Sequence, residues 1–417
     1  MNRRHFVSLT GLSTASLLTS CAMPGPAPQM PRPAVAGPFA LGIDVLQENN
    51  FDLLRGKRVG LITNQTSVDS RGTPTRLVMK RALGPRFTTL YTPEHGLDGR
   101  EPAGYKVGSR RDSLTGLIAH SLYGSTRKPT PAMLSNVDVV CFDLQDIGSR
   151  SYTYISTMAL AMEACGQAGK EFVVFDRPNP IGGLRVQGPP REERWKSFVG
   201  QIPVPYLHGM TAGELARMGN ARGWWASRPR LSVVPMRGWH RGMAWRDTGL
   251  RWIPTSPNIP RMDSPLYYAA TGILGGLDGV DIGIGTGRPF EFAGGKGINP
   301  NEFTAYMSRM GIPGVRFSPY VSSRKPGFAG AALSIDPHGS TDIVALAVIL
   351  TSEIVRRTGG APLRASRGDT VTLFNKVWGS DSLWRALHAR TPAGRIIAGF
   401  QGYARGFAGS RQPFLLY

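Results

Sequence analysis

Phe87-Thr88-Thr89-Leu90-Tyr91-Thr92-Pro93-Glu94-His95-Gly96-Leu97-Asp98-Gly99 decides how the chain is read. The first five residues are β-branched or aromatic, as in a strand, and Pro93, with no N–H for a ladder, ends it. Glu94 and His95 therefore open a glycine-rich loop where a buried strand stops.

The same grammar recurs on both sides of that stretch. Lys57-Arg58-Val59-Gly60-Leu61-Ile62-Thr63 is a continuous apolar run without alternation, as expected of a strand covered on both faces, and it ends in Asn64-Gln65-Thr66. A helix is predicted over 74–82. Thr130-Pro131 supplies a cap and a first helical position, and Val137 to Phe142 is another strand, ending in Asp143-Leu144-Gln145-Asp146-Ile147-Gly148. A helical pattern over 155–167 closes at Gly169, and Phe172 to Phe175 ends in Asp176-Arg177-Pro178-Asn179-Pro180.

Strands alternating with helices imply an α/β fold: a Rossmann-like, doubly wound, mostly parallel sheet with its ligand crevice beyond the carboxyl ends of the strands. Asn64, Gln65, Glu94, His95, Asp143, Gln145, Asp146, Asp176 and Arg177 then line one crevice. With 417 residues the chain is long for one core, which predicts two α/β units, and the rigid-looking Pro254 to Pro260 connection places the change between them near 250, giving domains over 41–250 and 251–417. In the second half, strands are predicted over 314–317 and 331–335 and a helix over 341–356.

Thr211 and Glu214 form a capping box, so Glu214 is structural and His208 just before it is the site candidate. Gly283-Ile284-Gly285-Thr286-Gly287 has the wrong spacing for a dinucleotide fingerprint, with no helix opening on it, so no cofactor is expected. Arg288 and Glu291 bring charge to a loop that can close over the crevice.

The first twenty residues read as a lipoprotein signal. Arg3-Arg4-His5-Phe6 suggests twin-arginine export, and Leu18-Thr19-Ser20-Cys21 is a lipobox whose Cys21 would be acylated. Residues 21–40, rich in proline, predict an extended tether holding a soluble body off the periplasmic face of a membrane. Lysine and arginine exceed aspartate and glutamate by 21. That surplus fits nucleic acid, an anionic envelope polymer or a solvated arginine-rich surface with no single target, and export argues against nucleic acid as the partner. Cys141 and Cys165 read as buried free thiols, and no metal-ligand spacing is present.

Glycoside cleavage needs an acid to protonate the leaving oxygen and usually a second carboxylate. Glu94, on a loop beneath a covering domain, suits the first role; Asp143, Asp146, Asp176 and Glu291 are candidates for the second. No Gly-x-Ser-x-Gly elbow competes near these strand ends.

Asn64-Gln65-Thr66, Thr92-Pro93-Glu94-His95-Gly96, Ser121-Leu122-Tyr123-Gly124 with Arg127-Lys128-Pro129-Thr130, and Phe142 to Arg150 stand in an order that resembles the NamZ-type exo-β-N-acetylmuramidases. So do Asp176 to Pro180, His208-Gly209-Met210-Thr211, Ser256 to Pro260, Arg288-Pro289-Phe290-Glu291 and Phe414-Leu415-Leu416-Tyr417. The resemblance implies a Rossmann-like catalytic domain, a C-terminal α/β domain and an active-site cleft between them that releases N-acetylmuramic acid from the non-reducing ends of peptidoglycan fragments, with the catalytic glutamate at Glu94. From the residues themselves, His95, Asp143 and Asp176 join Glu94 as catalytic candidates. Asn64, Gln65, Gln145, Asp146, Arg150, Arg177, His208, Asn258, Arg288 and Glu291 are the candidates for binding sugar. The lactyl carboxylate calls for a bidentate arginine, with Arg150, Arg177 and Arg288 as candidates. Two positions depart from the family pattern. Gly275-Gly276-Leu277-Asp278 stands where an acidic residue before Gly-Thr-Asn is expected, and Ile284 where an arginine is expected. A non-catalytic lipoprotein binding muramyl saccharides and a cofactor-dependent oxidoreductase are the alternative readings.

Overall fold

A computed structural model describes residues 38–417; Cys21, the paired arginines and the tether up to residue 37 lie outside the described residues. The helices of the first half are α1 (Gly42–Glu48), α2 (Thr75–Leu83), α3 (Pro131–Leu134), α4 (Thr153–Gln167) and α5 (Ala212–Arg222). Its strands are β1 (Val59–Ile62), β2 (Phe87–Thr92), β3 (Arg110–Arg111), β4 (Ile118–Ser121), β5 (Val139–Phe142), β6 (Glu171–Phe175) and β7 (Leu231–Val234). They form one sheet in the order β3-β4-β2-β1-β5-β6-β7, parallel except for the β3–β4 hairpin.

Alternate residues of the central strands feed two apolar layers. Leu61, Cys141, Val173 and Phe175 pack on the side of α1 and α2. Ile62, Val140, Phe142, Phe172 and Val174 pack with α4 and α5. Burial on both faces accounts for strands that are apolar at every position. Cys141 and Cys165 are buried free thiols belonging to opposite layers, so the sheet itself stands between them. α4 is apolar nearly all round, as a helix walled in on every side must be.

Strand order reverses between β1 and β5, the position where an open α/β sheet parts its loops and admits a ligand. The loops after these strands begin at Thr63 and Asp143, so Asn64 and the Asp143–Asp146 run flank that opening.

After α6 (Ser264–Thr271) the chain builds a second sheet from β8 (Val280–Asp281), β9 (Phe292–Lys296), β10 (Val315–Val321) and β11 (Phe328–Ile335). Its order is β10-β11-β9-β8, antiparallel throughout. Helices α7 (Pro300–Arg309) and α8 (Ile343–Arg357) accompany it, and α9 (Ala361–Ala365), α10 (Gly368–Trp378), α11 (Ser382–His388) and α12 (Ala393–Ser410) follow. The apolar layer around α4 runs without a break into this second half, joining Phe142 and Ile155 to Phe303, Leu333 and Ile354. No helix among the described residues is long and apolar enough to cross a membrane.

The segment after α12 returns to the first sheet. The Tyr417 hydroxyl donates to Asp176 Oδ2 at 2.9 Å and accepts from the Met236 N–H at 2.7 Å, while the Leu416 N–H donates to Glu214 at 2.8 Å. Arg411 donates to the carbonyls of His208, Gly209 and Gly183. Removing one partner from such a buried arrangement costs about 1–3 kcal/mol. Tyr417→Phe should therefore lower the unfolding free energy by about that amount in a denaturant titration. An unchanged midpoint and slope would show that the dock contributes nothing.

Candidate active site

Glu94 follows β2 by two residues and is only 6% exposed. Its Oε1 accepts the Gly104 N–H at 2.8 Å and its Oε2 accepts the Thr153 hydroxyl at 2.6 Å. Thr153 is the first residue of α4, so the carboxylate faces the positive end of a fifteen-residue helix. His95 adopts φ +70°, a left-handed conformation that few non-glycine residues take. Its Nδ1 lies 2.8 Å from the Glu101 carbonyl, and the Glu101 N–H returns a bond to the His95 carbonyl at 3.2 Å. This fold-back carries the 101–104 turn round to deliver Gly104 to Glu94.

Tyrosines surround the carboxylate. Burial, then the charge and hydrogen bonding of Glu94, push the Tyr123 phenol above its ordinary value, against the pull of Arg127. Tyr154 donates to the Thr255 carbonyl at 2.6 Å and accepts from Asn64 Nδ2 at 2.8 Å. Tyr152 donates to the Thr255 hydroxyl at 2.7 Å, and its ring meets Tyr154 edge-on at 4.9 Å. Tyr268, from α6, shares a 2.9 Å hydrogen bond with Ser151 and brings the second half of the chain to this floor. Asn64 Oδ1 accepts the N–H and hydroxyl of Thr66, so Asn64 fixes its own loop as well as Tyr154.

Several candidates are bound into the scaffold, unlike the open crevice residues that the sequence predicts. Asp143 and Arg177 form a buried two-pronged ion pair at 2.5 and 3.0 Å, and Arg177 also donates to the Val68 carbonyl. Each satisfies the other, which removes Asp143 from the free carboxylates and Arg177 from the free cations. Asp176 accepts from Thr211, Gly213 and Tyr417; burial raises it to about 6. It fastens α5 and the chain's last segment to β6. Arg150 donates to the carbonyls of Pro189, Val204, Val377 and Trp378, and burial brings it down to about 10. It joins the first sheet's loops to α10 and is fully enclosed. His208 is likewise enclosed, and burial, with the arginines around it, pushes it down to about 3, leaving it neutral. Glu291 carries bonds from both Arg288 and Arg261.

The polar amides are partly engaged. Gln145 Nε2 donates to the carbonyls of Asp146 and Pro178, and Gln65 Nε2 donates to that of Pro254 at 2.8 Å, while both side-chain oxygens are buried without a donor. A pocket of about 360 Å³ opens beside them, lined by Gln65, Thr66, Asp69, Gln145, Arg177 and Trp245. Asn258 is half-buried on the loop that also carries Thr255. Of the two departures, Gly275 is matched by its surroundings: a Cβ there would meet Ile282 at 2.5 Å. Ile284 is 41% exposed.

Asp146 differs from the other acids. It is 8% exposed, its Oδ2 accepts the Gly148 N–H at 2.7 Å, and its Oδ1 is buried without a donor. Gly148 sits at φ +83°, with Asn179 Oδ1 2.3 Å from where a Cβ would lie, so this turn admits only glycine. No cation reaches Asp146, and burial raises it to about 7. Its charge acts on Tyr152 and that of Glu94 on Tyr154, the two tyrosines whose rings meet edge-on.

Because the folded Asp146 carboxyl holds its proton more tightly than the unfolded one, its stabilising contribution is complete below about pH 4 and is lost as pH rises through about 7. Asp146→Asn should flatten the fall in stability between those limits. Parallel slopes for both proteins in unfolding measured from pH 4 to 8 would contradict the assignment.

The comparisons with known proteins cover nearly the whole described chain. The family profile for exo-β-N-acetylmuramidase NamZ, N-terminal, matches residues 59–263, and its C-terminal counterpart matches 266–417. The chain is 41% identical over 318 residues to the peptidoglycan β-N-acetylmuramidase NamZ of Bacillus subtilis, covering 76% of this chain and 75% of that protein. A crystal structure of a DUF1343-family protein from Bacteroides fragilis matches with a TM-score of 0.85 at 37% identity, over 91% of this chain and 99% of that one. A second from the same organism, at 24% identity and a TM-score of 0.71, shares the fold over equal fractions. By these matches the chain belongs to the exo-β-N-acetylmuramidase NamZ family of glycosidases.

Proposed function

We propose that the protein removes N-acetylmuramic acid from the non-reducing ends of peptidoglycan fragments, with Glu94 as the acid that protonates the glycosidic oxygen as the bond to the sugar breaks. The observation that carries this reading is the setting of Glu94. It is a nearly enclosed carboxylate held by one N–H and one hydroxyl at the mouth of α4, close enough to Tyr123 and Tyr154 for its charge to act on both phenols. The Bacillus subtilis relative, a peptidoglycan β-N-acetylmuramidase, supports the substrate class.

Asp146 is the partner carboxylate in this reading. Arg177 neutralises Asp143, scaffold donors occupy Asp176, and two arginines hold Glu291, whereas Asp146 keeps an acceptor that no protein donor reaches. His95 acts by shaping the loop that brings Gly104 to Glu94. The same proposal has the body anchored through an acylated Cys21 at the periplasmic face of a membrane, where its substrate is made and turned over.

The experiment uses the soluble form starting after Cys21, with a chromogenic β-N-acetylmuraminide and, in parallel, the corresponding glucosaminide. Glu94→Gln should reduce turnover of the muraminide by at least about 10²-fold while leaving sugar affinity by calorimetry nearly unchanged, because only proton transfer is lost. A wild-type protein that binds muramyl saccharides without turnover would replace the enzyme with the non-catalytic binding lipoprotein.

A further inference from the structure

We infer that Arg127 reads the lactyl carboxylate of the bound sugar and so sets the preference for muramic acid over glucosamine. This rests on the reading of the substrate just proposed. The three arginines that sequence order suggests for this task are engaged elsewhere: Arg150 by four backbone carbonyls, Arg177 by Asp143, and Arg288 by Glu291. Arg127 is engaged by none. Among the described residues its guanidinium has no ion pair and no hydrogen-bond acceptor, although its Nη1 is buried.

Arg127 stands on the loop after β4, beside the Glu94 loop because β4 pairs with β2. Its guanidinium carbon lies 3.2 Å from the centre of the Tyr123 ring and 4.7 Å from that of Phe198, and the two rings are 5.5 Å apart. Tyr123 is the same residue whose phenol Glu94 perturbs. Arginine, aromatic ring and candidate acid therefore form one contiguous row.

The aromatic pair does two things for the cation. Stacking supplies attraction without using any N–H, and it fixes the plane of the fork, so the donors along its edge remain free for two oxygens in that plane. A carboxylate accepts such a fork with both oxygens, while the hydroxyl of a glucosamine residue in the same place offers one neutral acceptor. A buried N–H with no acceptor is unfavourable in the empty protein. An anion that supplies the acceptor removes that penalty, and a neutral sugar does so poorly.

The test compares the muraminide with its lactyl methyl ester, which is alike in shape but uncharged, for the wild-type protein, Arg127→Met and Arg127→Lys. The wild type should favour the free acid by about 10- to 100-fold in kcat/KM, carried mainly by KM, as expected of charge-assisted hydrogen bonds. Arg127→Met should bring that ratio close to one, and Arg127→Lys should keep an intermediate ratio. A loss of packing alone would lower both substrates together and leave the ratio intact. A wild type indifferent to esterification, or an Arg127→Met protein that keeps the wild-type ratio, would overturn the inference. If Arg127→Met does not fold, the Arg127→Lys ratio decides: reduced supports the inference, and unchanged overturns it. Absence of turnover in the wild type would defeat the enzymatic reading alone. In that event, the same acid-to-ester comparison by calorimetry, with N-acetylmuramic acid and its methyl ester, decides the role of Arg127 on the same ratios.

Discussion

Apolar packing on both faces of the first sheet confines its polar chemistry to one edge. Strands such as Val139-Val140-Cys141-Phe142 offer no polar side chain, so acids, amides and arginines gather in the loops after them, where most are cut off from water. A polar group placed there must find a partner or remain costly, by about 1–3 kcal/mol for each unmade bond. Asp143 finds Arg177, Asp176 finds four donors, and Asn64 holds both Tyr154 and its own loop. Asp146 Oδ1 and Arg127 Nη1 are among the buried atoms left without a partner, as are the side-chain oxygens of Gln65 and Gln145.

The second half of the chain participates in this edge as well as covering it. Tyr268 reaches Ser151, Thr255 receives both Tyr152 and Tyr154, and Arg150 passes through the loops to the carboxyl end of α10. These bonds join parts more than a hundred residues apart, and the apolar layer beneath them is continuous. The tyrosine floor under Glu94 is thus completed by Thr255 and by Tyr268 of α6, and the first sheet does not supply it alone.

The central strands and their order of loops were legible in the sequence because a strand buried on both faces leaves an unbroken apolar run. The Phe87 strand, the Thr130 cap and the capping box of Thr211 and Glu214 all stand where local chemistry puts them. β4 and β7 were missed: Ile118-Ala119-His120-Ser121 is too short and mixed to announce a strand, and Leu231 to Val234 is masked by neighbouring tryptophans and arginines. The site residues separate differently. Proximity to a strand end told which side chains collect at the crevice, but pairing is a matter of three-dimensional reach. Arg150 and Arg127 are equally plausible cations in a string of letters; one is tied by carbonyls from distant segments and the other stacks on two rings. The closing Phe414-Leu415-Leu416-Tyr417 gave no hint that it completes the setting of Asp176.

That last contact has a consequence for how the protein comes into being. Asp176 and Tyr417 are 241 residues apart, so at about 5–20 residues per second the aspartate leaves the ribosome roughly ten to fifty seconds before its partner exists. Any meeting of β6 with α5 over that interval lacks one of the carboxylate's four donors, and the His208 carbonyl is still without Arg411. The first sheet therefore reaches its final form only after the second has been synthesised, and the two halves mature as one unit although they lie in sequence as two.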